Sequence, residues 1–533
     1  MTSAHVALLA SFRRAFLLHS LARSPFASSS PFGNCRFASA LAQNARNTDP
    51  TIDPVNQIIN NDIGSTPLGA DGPLLLRARI LEATSSVPLI SSSDGEETEP
   101  SVVASRKCSK ASRRMKVELV DGSIPLEQLL KSKIARRHST SSFNIVNLGV
   151  LADQYMKWRT HMPSVTPFYA VKCNPDIMIV RSLLAMGCGL DVASKTEMRL
   201  ALGAGCLPQN IIFANPCKSP EALQYANKSG IQKMTFDNPL ELSKIKKHFG
   251  THAQPVLRIL GDDSFSQMAF GSKFGATPKE SIQLLEMAAD LGFDVEGISF
   301  HVGSGCSSPH AYLNTFERVA QIRQKGRALG HSMRLIDIGG GWPGVDTPEL
   351  NFPTISEGLN ARLLDLFPQN EVNLISEPGR YFAAGTTTLT TCVISRRDRA
   401  ASPDVSIVER DTPVSHGAHT PSSRVEEAVA DDRAVAYYVS DGVYGSFNNI
   451  FFDHALPIPK FFKNSSSSAV ARYRSTVYGP TCDSIDVLMK DVVLPSLNAG
   501  DWLYFPEMGA YTCAAASTFN GFLKPNSFYV MTH

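Results

Sequence analysis

What the sequence lacks narrows the problem first. No uninterrupted apolar stretch approaches the roughly 20 residues that cross a bilayer as a helix, so no membrane-spanning helix is expected. The ten cysteines are scattered, with no C-x-x-C pair and no His/Cys group at zinc-ligand spacing, which predicts reduced thiols rather than a disulfide or zinc framework. Neither sign of charge dominates: 51 basic against 49 acidic residues leave a formal net charge of +2, and no charge run argues for DNA or RNA. With 43% hydrophobic and 19% charged residues, the 533-residue chain has the composition of a soluble globular protein and is long enough for two or three domains.

A further absence marks off the first part of the chain. No acidic residue precedes Asp49, while Arg13, Arg14, Arg23, Arg36 and Arg46 sit among Ser and Ala. That composition resembles a mitochondrial transit peptide; the alternatives are a disordered extension, or upstream sequence ahead of a start at Met115. Residues 1–115 are expected to be disordered, and 85–115 is of low complexity. The expected compartment is the cytoplasm, with the mitochondrion as the alternative.

From Lys116 the pattern becomes globular. A short strand and helix at 116–150 are expected to join a later sheet. Strand-like apolar runs then follow at 168–172, 189–194, 211–216, 233–237, 255–260, 295–302, 334–339 and 374–379. Helix-period segments lie between them at 177–186, 195–202, 220–227, 239–248, 278–291, 309–329 and 355–367. Eight strands alternating with helices predict an α/β fold, a (β/α)8 TIM-type barrel over 151–385. A doubly wound open sheet is the alternative, against which stand the strand count and the lack of a G-x-G-x-x-G after the first strand. Beyond Arg380 the helical period disappears, and 386–533 reads as a C-terminal β-sheet domain with strands near 381–394, 435–439, 475–478, 502–505 and 527–531. Within it, 396–432 reads as a disordered insertion.

Chemistry in such a barrel is read at the carboxyl ends of the strands. The first strand, Pro167-Phe168-Tyr169-Ala170-Val171-Lys172, ends on a lysine, and alternation turns Phe168, Ala170 and Lys172 to one side. Loss of solvation there lowers a lysine pKa and favours a neutral amine able to form a Schiff base. Alone, such a lysine is ordinarily solvated. It has company, however. Asp191 lies on the second strand, His301 to Cys306 end the sixth, Gly339-Gly340-Gly341 follow the seventh, and Glu377-Pro378-Gly379-Arg380 end the eighth. Successive glycines let backbone N–H groups cradle a phosphate, and Arg380 can add a charged clamp. Each has a structural reading too: a tight turn for the glycines, a core histidine for His301, and a capping box for Ser194 to Glu197. Together, an amine, a phosphate cradle, an imidazole and an acid meet the needs of a pyridoxal phosphate site.

The motifs PFYAVKCN, FHVGSGC, DIGGGWPG, EPGRY, DGVYGSFN, YGPTCDS and MGAYTCAAASTFNGF occur in that order. Over about 116–533 the chain closely resembles the eukaryotic ornithine decarboxylase family, fold III pyridoxal-phosphate enzymes. The resemblance implies that Lys172 carries the cofactor and His301 stacks on its ring, and that Glu377 faces the ring nitrogen. It further implies that Ser304, Gly341, Arg380 and Tyr511 hold the phosphate, and that Asp191, Glu197, Gly339, Gly340 and Gly379 also bind the cofactor. Cys482 is implied as the proton donor, working across a subunit boundary. Phe452, Asp453, Asp483 and Phe519 are implied to bind the substrate, L-ornithine, whose distal ammonium suits two carboxylates. A head-to-tail homodimer with shared sites is also implied, with an antizyme as a further partner. Two departures stand out: Ala269 replaces an arginine of many relatives, and Phe452 a usual tyrosine. The first could remove a partner for an acid near Asp191. Rival readings are a non-catalytic antizyme-inhibitor-like relative and a decarboxylase of lysine.

Overall fold

The computed structural model describes residues 72–85, 87, 115–269, 271–348, 350–399, 434–462 and 471–532. The described residues open with a helix, Gly72–Thr84, and continue through β1 (Val117–Val120), the helix Leu126–Ala135, β2 (Phe143–Asn147) and the helix Gly149–His161. Next come β3 (Val165–Ala170), β4 (Gly189–Val192), β5 (Ile211–Phe213), β6 (Lys233–Phe236), β7 (Gln254–Arg258), β8 (Ser266–Met268), β9 (Gly297–Ser299), β10 (Ser304–Cys306), β11 (Leu335–Asp337) and β12 (Asn373–Ser376). Eight of these, all except β8 and β10, close into a parallel barrel in which β12 pairs back onto β3. All eight expected strands are present, each as its apolar core. Such strands are covered on both faces, inside by the layer Phe168, Ile212, Ala214, Val256, Leu335 and Ile375, outside by helices.

Local chemistry sets the helix starts that the sequence announces. Ser219, Asn238 and Thr277 each accept a hydrogen bond from a first-turn N–H, each is followed by proline, and Thr277 completes a capping box with Glu280.

A second sheet follows: β13 (Thr387–Arg399), β14 (Ala434–Val439), β15 (Lys460–Phe461), β16 (Arg472–Tyr478), β17 (Val487–Pro495), β18 (Trp502–Phe505) and β19 (Asn526–Thr532). With β1 and β2 these form nine strands, and β19 lies between β1 and β2, parallel to both. Leu389, Val393, Tyr437, Phe447 and Phe505 fill its core.

Several expectations are corrected here. Residues 72–84, expected within a disordered extension, form a helix whose Leu76, Ile80 and Ala83 are fully buried. Spacing of i, i+4 and i+7 puts the three on one stripe, which packs on the helices Ile177–Ala185 and Gly149–His161. Arg77 anchors its start through Asp153 at 2.6 Å and the Thr532 carbonyl at 2.9 Å. Residues 1–71 lie outside the described residues. The strand expected from 381 begins at Thr387, after a short helix Arg380–Ala383. β13 runs on to Arg399 because it pairs with β14 through that residue, so 396–399, expected within the insertion, are strand; the rest of that expectation, 400–432, lies outside the described residues. The strands β15 and β17 went unread.

Candidate active site

Lys172 does not end a strand. β3 stops at Ala170, and Val171–Cys173 form a single 3-10 turn, so the turn rather than strand alternation aims the side chain. Its Nζ lies 3.1 Å from Asp191 Oδ2, and the side chain keeps 46% of its surface open. The expected fall in pKa is corrected as well. Burial pulls it down, but Asp191, Glu377 and Tyr511 outweigh burial and raise it, so the amine is held charged.

Acids surround it because inward positions on neighbouring strands fall into one layer. Asp191 pairs in register with Ala170, Asp337 with Ser299, and Ser299 with Arg258. Asp191 and Asp337 are almost fully buried, and Glu377 is 8% exposed. Burial first, then the Asp337 and Asp191 charges, pushes the Glu377 carboxyl well above its usual range. Glu197 accepts the Ala193 N–H at 2.6 Å, and burial raises its pKa. Half of the expected capping box forms, with Ser194 Oγ accepting the Glu197 N–H. Asp191 Oδ1 is buried without a hydrogen-bond partner, and Ala269 sits exposed just past β8.

His301 is kept neutral. Burial, then Arg258 and Lys172, holds its pKa well below the ordinary value, and its Nδ1 accepts the Gly303 N–H at 2.9 Å. The glycines after β11 are required by close approach. A Cβ on Gly340 would lie 2.8 Å from the Glu377 carbonyl and 2.9 Å from His301 Nε2, and Gly341 adopts φ +113. Arg380 reaches Ser304 Oγ at 3.1 Å and stacks over the Tyr511 ring at 5.0 Å. Tyr511, with φ 54, donates its N–H to the Cys173 carbonyl at 2.9 Å, which ties the second sheet to the Lys172 turn.

Substrate candidates divide into two places. Asp453 forms a two-pronged ion pair with Arg380, at 2.6 and 2.5 Å. Cys482 is exposed, its N–H donating to Asn520 Oδ1 at 3.1 Å, and Asp483 accepts the Tyr444 hydroxyl at 2.5 Å. Phe519 stacks on Tyr444 at 4.3 Å, and Phe452 is 64% exposed. Among the described residues, no hydrogen bond or ion pair joins Cys482 or Asp483 to Lys172. Sequence reasoning passed over Asp486, which organises this second cluster. Buried to 1%, it accepts the Val443 N–H at 2.9 Å, the Thr481 N–H at 3.0 Å and the Thr481 hydroxyl at 2.6 Å, so it brackets the DGVYG and YGPTC loops. Its signal was an acid four residues past Cys482.

A lysine amine paired with a buried acid, a glycine-rich anion cradle and a second buried acid at one barrel mouth are the features of a pyridoxal-phosphate enzyme. The family model described as pyridoxal-dependent decarboxylase, pyridoxal binding domain, matches residues 148–384. An ornithine decarboxylase of Caenorhabditis elegans is 41% identical over 74% of this chain and 89% of its own length. Antizyme inhibitor 2 of Xenopus laevis is 40% identical over 76% of this chain and 84% of its own. Among solved structures, an arginine decarboxylase of Paramecium bursaria Chlorella virus superposes with TM-score 0.67 at 32% identity, covering 76% of this chain and all of that one. The chain belongs to the ornithine decarboxylase family of pyridoxal-dependent decarboxylases. The residues present fit the cofactor: Gly340 and Gly341 leave no room for side chains beside His301 and the Gly303 carbonyl, Arg380 and Ser304 supply donors, and Asp191 keeps a buried oxygen without a donor.

Proposed function

We propose that the protein decarboxylates L-ornithine to putrescine and CO2, with pyridoxal phosphate held at the barrel mouth. One observation supports this reading: at the ends of neighbouring barrel strands Lys172 lies 3.1 Å from Asp191 and interacts electrostatically with His301 and Glu377, with Arg380 three residues past Glu377. When bound, the cofactor supplies an electron sink for the pair left by departing CO2. Lys172 is its attachment point, and Asp191, 3.1 Å away, is placed to take the proton the amine must shed. His301, neutral and flat, covers the ring without adding charge. Glu377 holds a proton at the ring nitrogen. Arg380, Ser304 and the glycines bind the phosphate, with Asp453 orienting Arg380.

Cys482 returns the proton to carbon, and Asp483 binds the distal ammonium, both acting on the barrel of a second copy. This is supported by the exposure of Cys482 and by exposed apolar side chains at Ile485, 51%, and Leu523, 81%, near it in sequence, and at Phe452, 64%, Leu456, 84%, and Ile458, 74%, beside Asp453 in sequence. Product analysis with ornithine, lysine and arginine side by side tests the substrate. Putrescine is expected to dominate over cadaverine by about tenfold or more, since one methylene is worth ~1–3 kcal/mol. Agmatine or cadaverine as main product would overturn the assignment.

The likeness to antizyme inhibitor 2 favours one rival, a chain that sequesters a regulator without catalysis. Absorbance of the purified protein separates the two: no cofactor band, and none restored by added pyridoxal phosphate, would favour the rival.

A further inference from the structure

One buried acid has no part in the reading above. Asp337 ends β11 and is fully buried. Its Oδ1 accepts the Gly339 N–H at 2.9 Å, while its Oδ2 is buried with no donor. On the next strand Glu377 has the same defect, with Oε1 buried and unpartnered. Register explains why the two meet. Asp337 pairs with Ile375, and Glu377 lies two residues on, so both carboxyls turn to the inner side that Leu335 and Ile375 also face. The two lie within hydrogen-bonding range of each other. Two buried ionised carboxylates at that separation are strongly unfavourable, whereas one proton between them gives each orphan oxygen a partner.

We propose that Asp337 is a positioning residue that shares one proton with Glu377, fixing Glu377's rotamer and leaving its other oxygen for the cofactor's ring nitrogen. The pair then carries one negative charge, which matches one protonated ring nitrogen. This rests on the functional reading for the ring, but the shared proton belongs to the chain itself. Facing groups from the other packed elements are Asp191 on β4, Arg258 on β7, Ser299 and then His301 from β9, and Lys172 after β3. Asp337 is pushed up to about 7, by burial first. Glu377 is pushed well above its ordinary range, so the pair binds a second proton below about pH 7 and keeps the shared one above it; both carboxyls exceed their unfolded values near 4, so the stability they contribute is full below about pH 4 and falls as pH rises through about 7.

The test compares Asp337→Asn with Asp337→Leu. An asparagine can accept the Gly339 N–H and donate its amide N–H to Glu377, replacing the shared proton, whereas leucine fills the space and donates nothing. In the cofactor-free protein, denaturant midpoints measured between pH 5 and 8.5 should fall with rising pH for the wild type and flatten in Asp337→Asn. In titrations with pyridoxal phosphate, Asp337→Asn should keep the dissociation constant within about twofold, and Asp337→Leu should raise it about tenfold or more, the scale of a lost hydrogen bond to a charged group. Equal loss of affinity in the two variants, or an unchanged pH slope in Asp337→Asn, would overturn the proposal. Failure of the wild type to bind the cofactor would instead count against the functional reading, and the stability measurement would still decide the shared proton.

Discussion

At Lys172 burial and charge pull in opposite directions, and charge wins. Burial alone would lower the pKa of Lys172; Asp191 first, then Glu377 and Tyr511, reverse that and hold the amine protonated until a proton is passed on. Lys172→Ala is therefore expected to abolish cofactor attachment, read as loss of a borohydride-reducible adduct. It should lower the thermal midpoint of the cofactor-free protein while leaving it folded, because buried Asp191 loses its ion-pair partner. A reducible adduct surviving in that variant would sink the assignment. Asp486 acts on the second cluster. Asp486→Ala strips three donors of their acceptor, and a loss of about 1–3 kcal/mol for each buried donor left unmet is the relevant scale. Activity should fall, with pyridoxal phosphate affinity unchanged. An unaltered kcat would remove Asp486 from any role in presenting Cys482. These two residues differ in legibility. Lys172 could be found because a strand-loop boundary and its motif are written in consecutive residues. Asp337 read as a single polar interruption in Leu335-Ile336-Asp337-Ile338, since two orphan oxygens become visible only when β11 and β12 lie side by side.

Among the elements, the helix Gly72–Thr84 changes the account of the N-terminal region. It covers the helix Ile177–Ala185, of whose nine residues eight are buried. Removing residues 1–114 should uncover the helix Ile177–Ala185 and yield aggregated or thermally weakened protein. Leu76→Ala should cost about 2–5 kcal/mol by denaturant titration. A truncation beginning at Met115 that matched the full chain would overturn this assignment of the helix to the barrel coat. Any cut that removed a targeting segment must then fall upstream of Gly72 to leave the barrel covered. The barrel strands were legible because buried parallel strands read as short apolar runs bounded by turns. This helix was not, since its three anchors are diluted by exposed Leu74 and Leu75 and it carries no acid in its first turn and no base in its last. β17 escaped for a related reason: Lys490 and Asp491 interrupt its pattern, and both are exposed.

For the whole molecule, the two site clusters make a prediction that no single chain can satisfy. Lys172→Ala and Cys482→Ala proteins should each be inactive alone. Mixed in equal amounts and allowed to exchange, they should recover about a quarter of wild-type activity, because half of randomly paired dimers carry one intact site. No recovery despite demonstrated exchange would place all the chemistry within one chain. The fold as a whole was readable from periodicity. The pairing of one chain's barrel with another's cysteine loop rests instead on surface exposure and on the family.

The position of β19 has a consequence in time. It separates β1 from β2 and pairs with both, so the two earliest strands of the sheet have no common neighbour until residues 526–532 have been made. The barrel's own strands are complete at Ser376, and the stretch from there to β19 takes on the order of ten to thirty seconds to translate. During that interval the nascent chain carries a finished barrel beside two unclosed strand edges. Ribosome-bound intermediates stalled before residue 526 should thus be the species that chaperones hold.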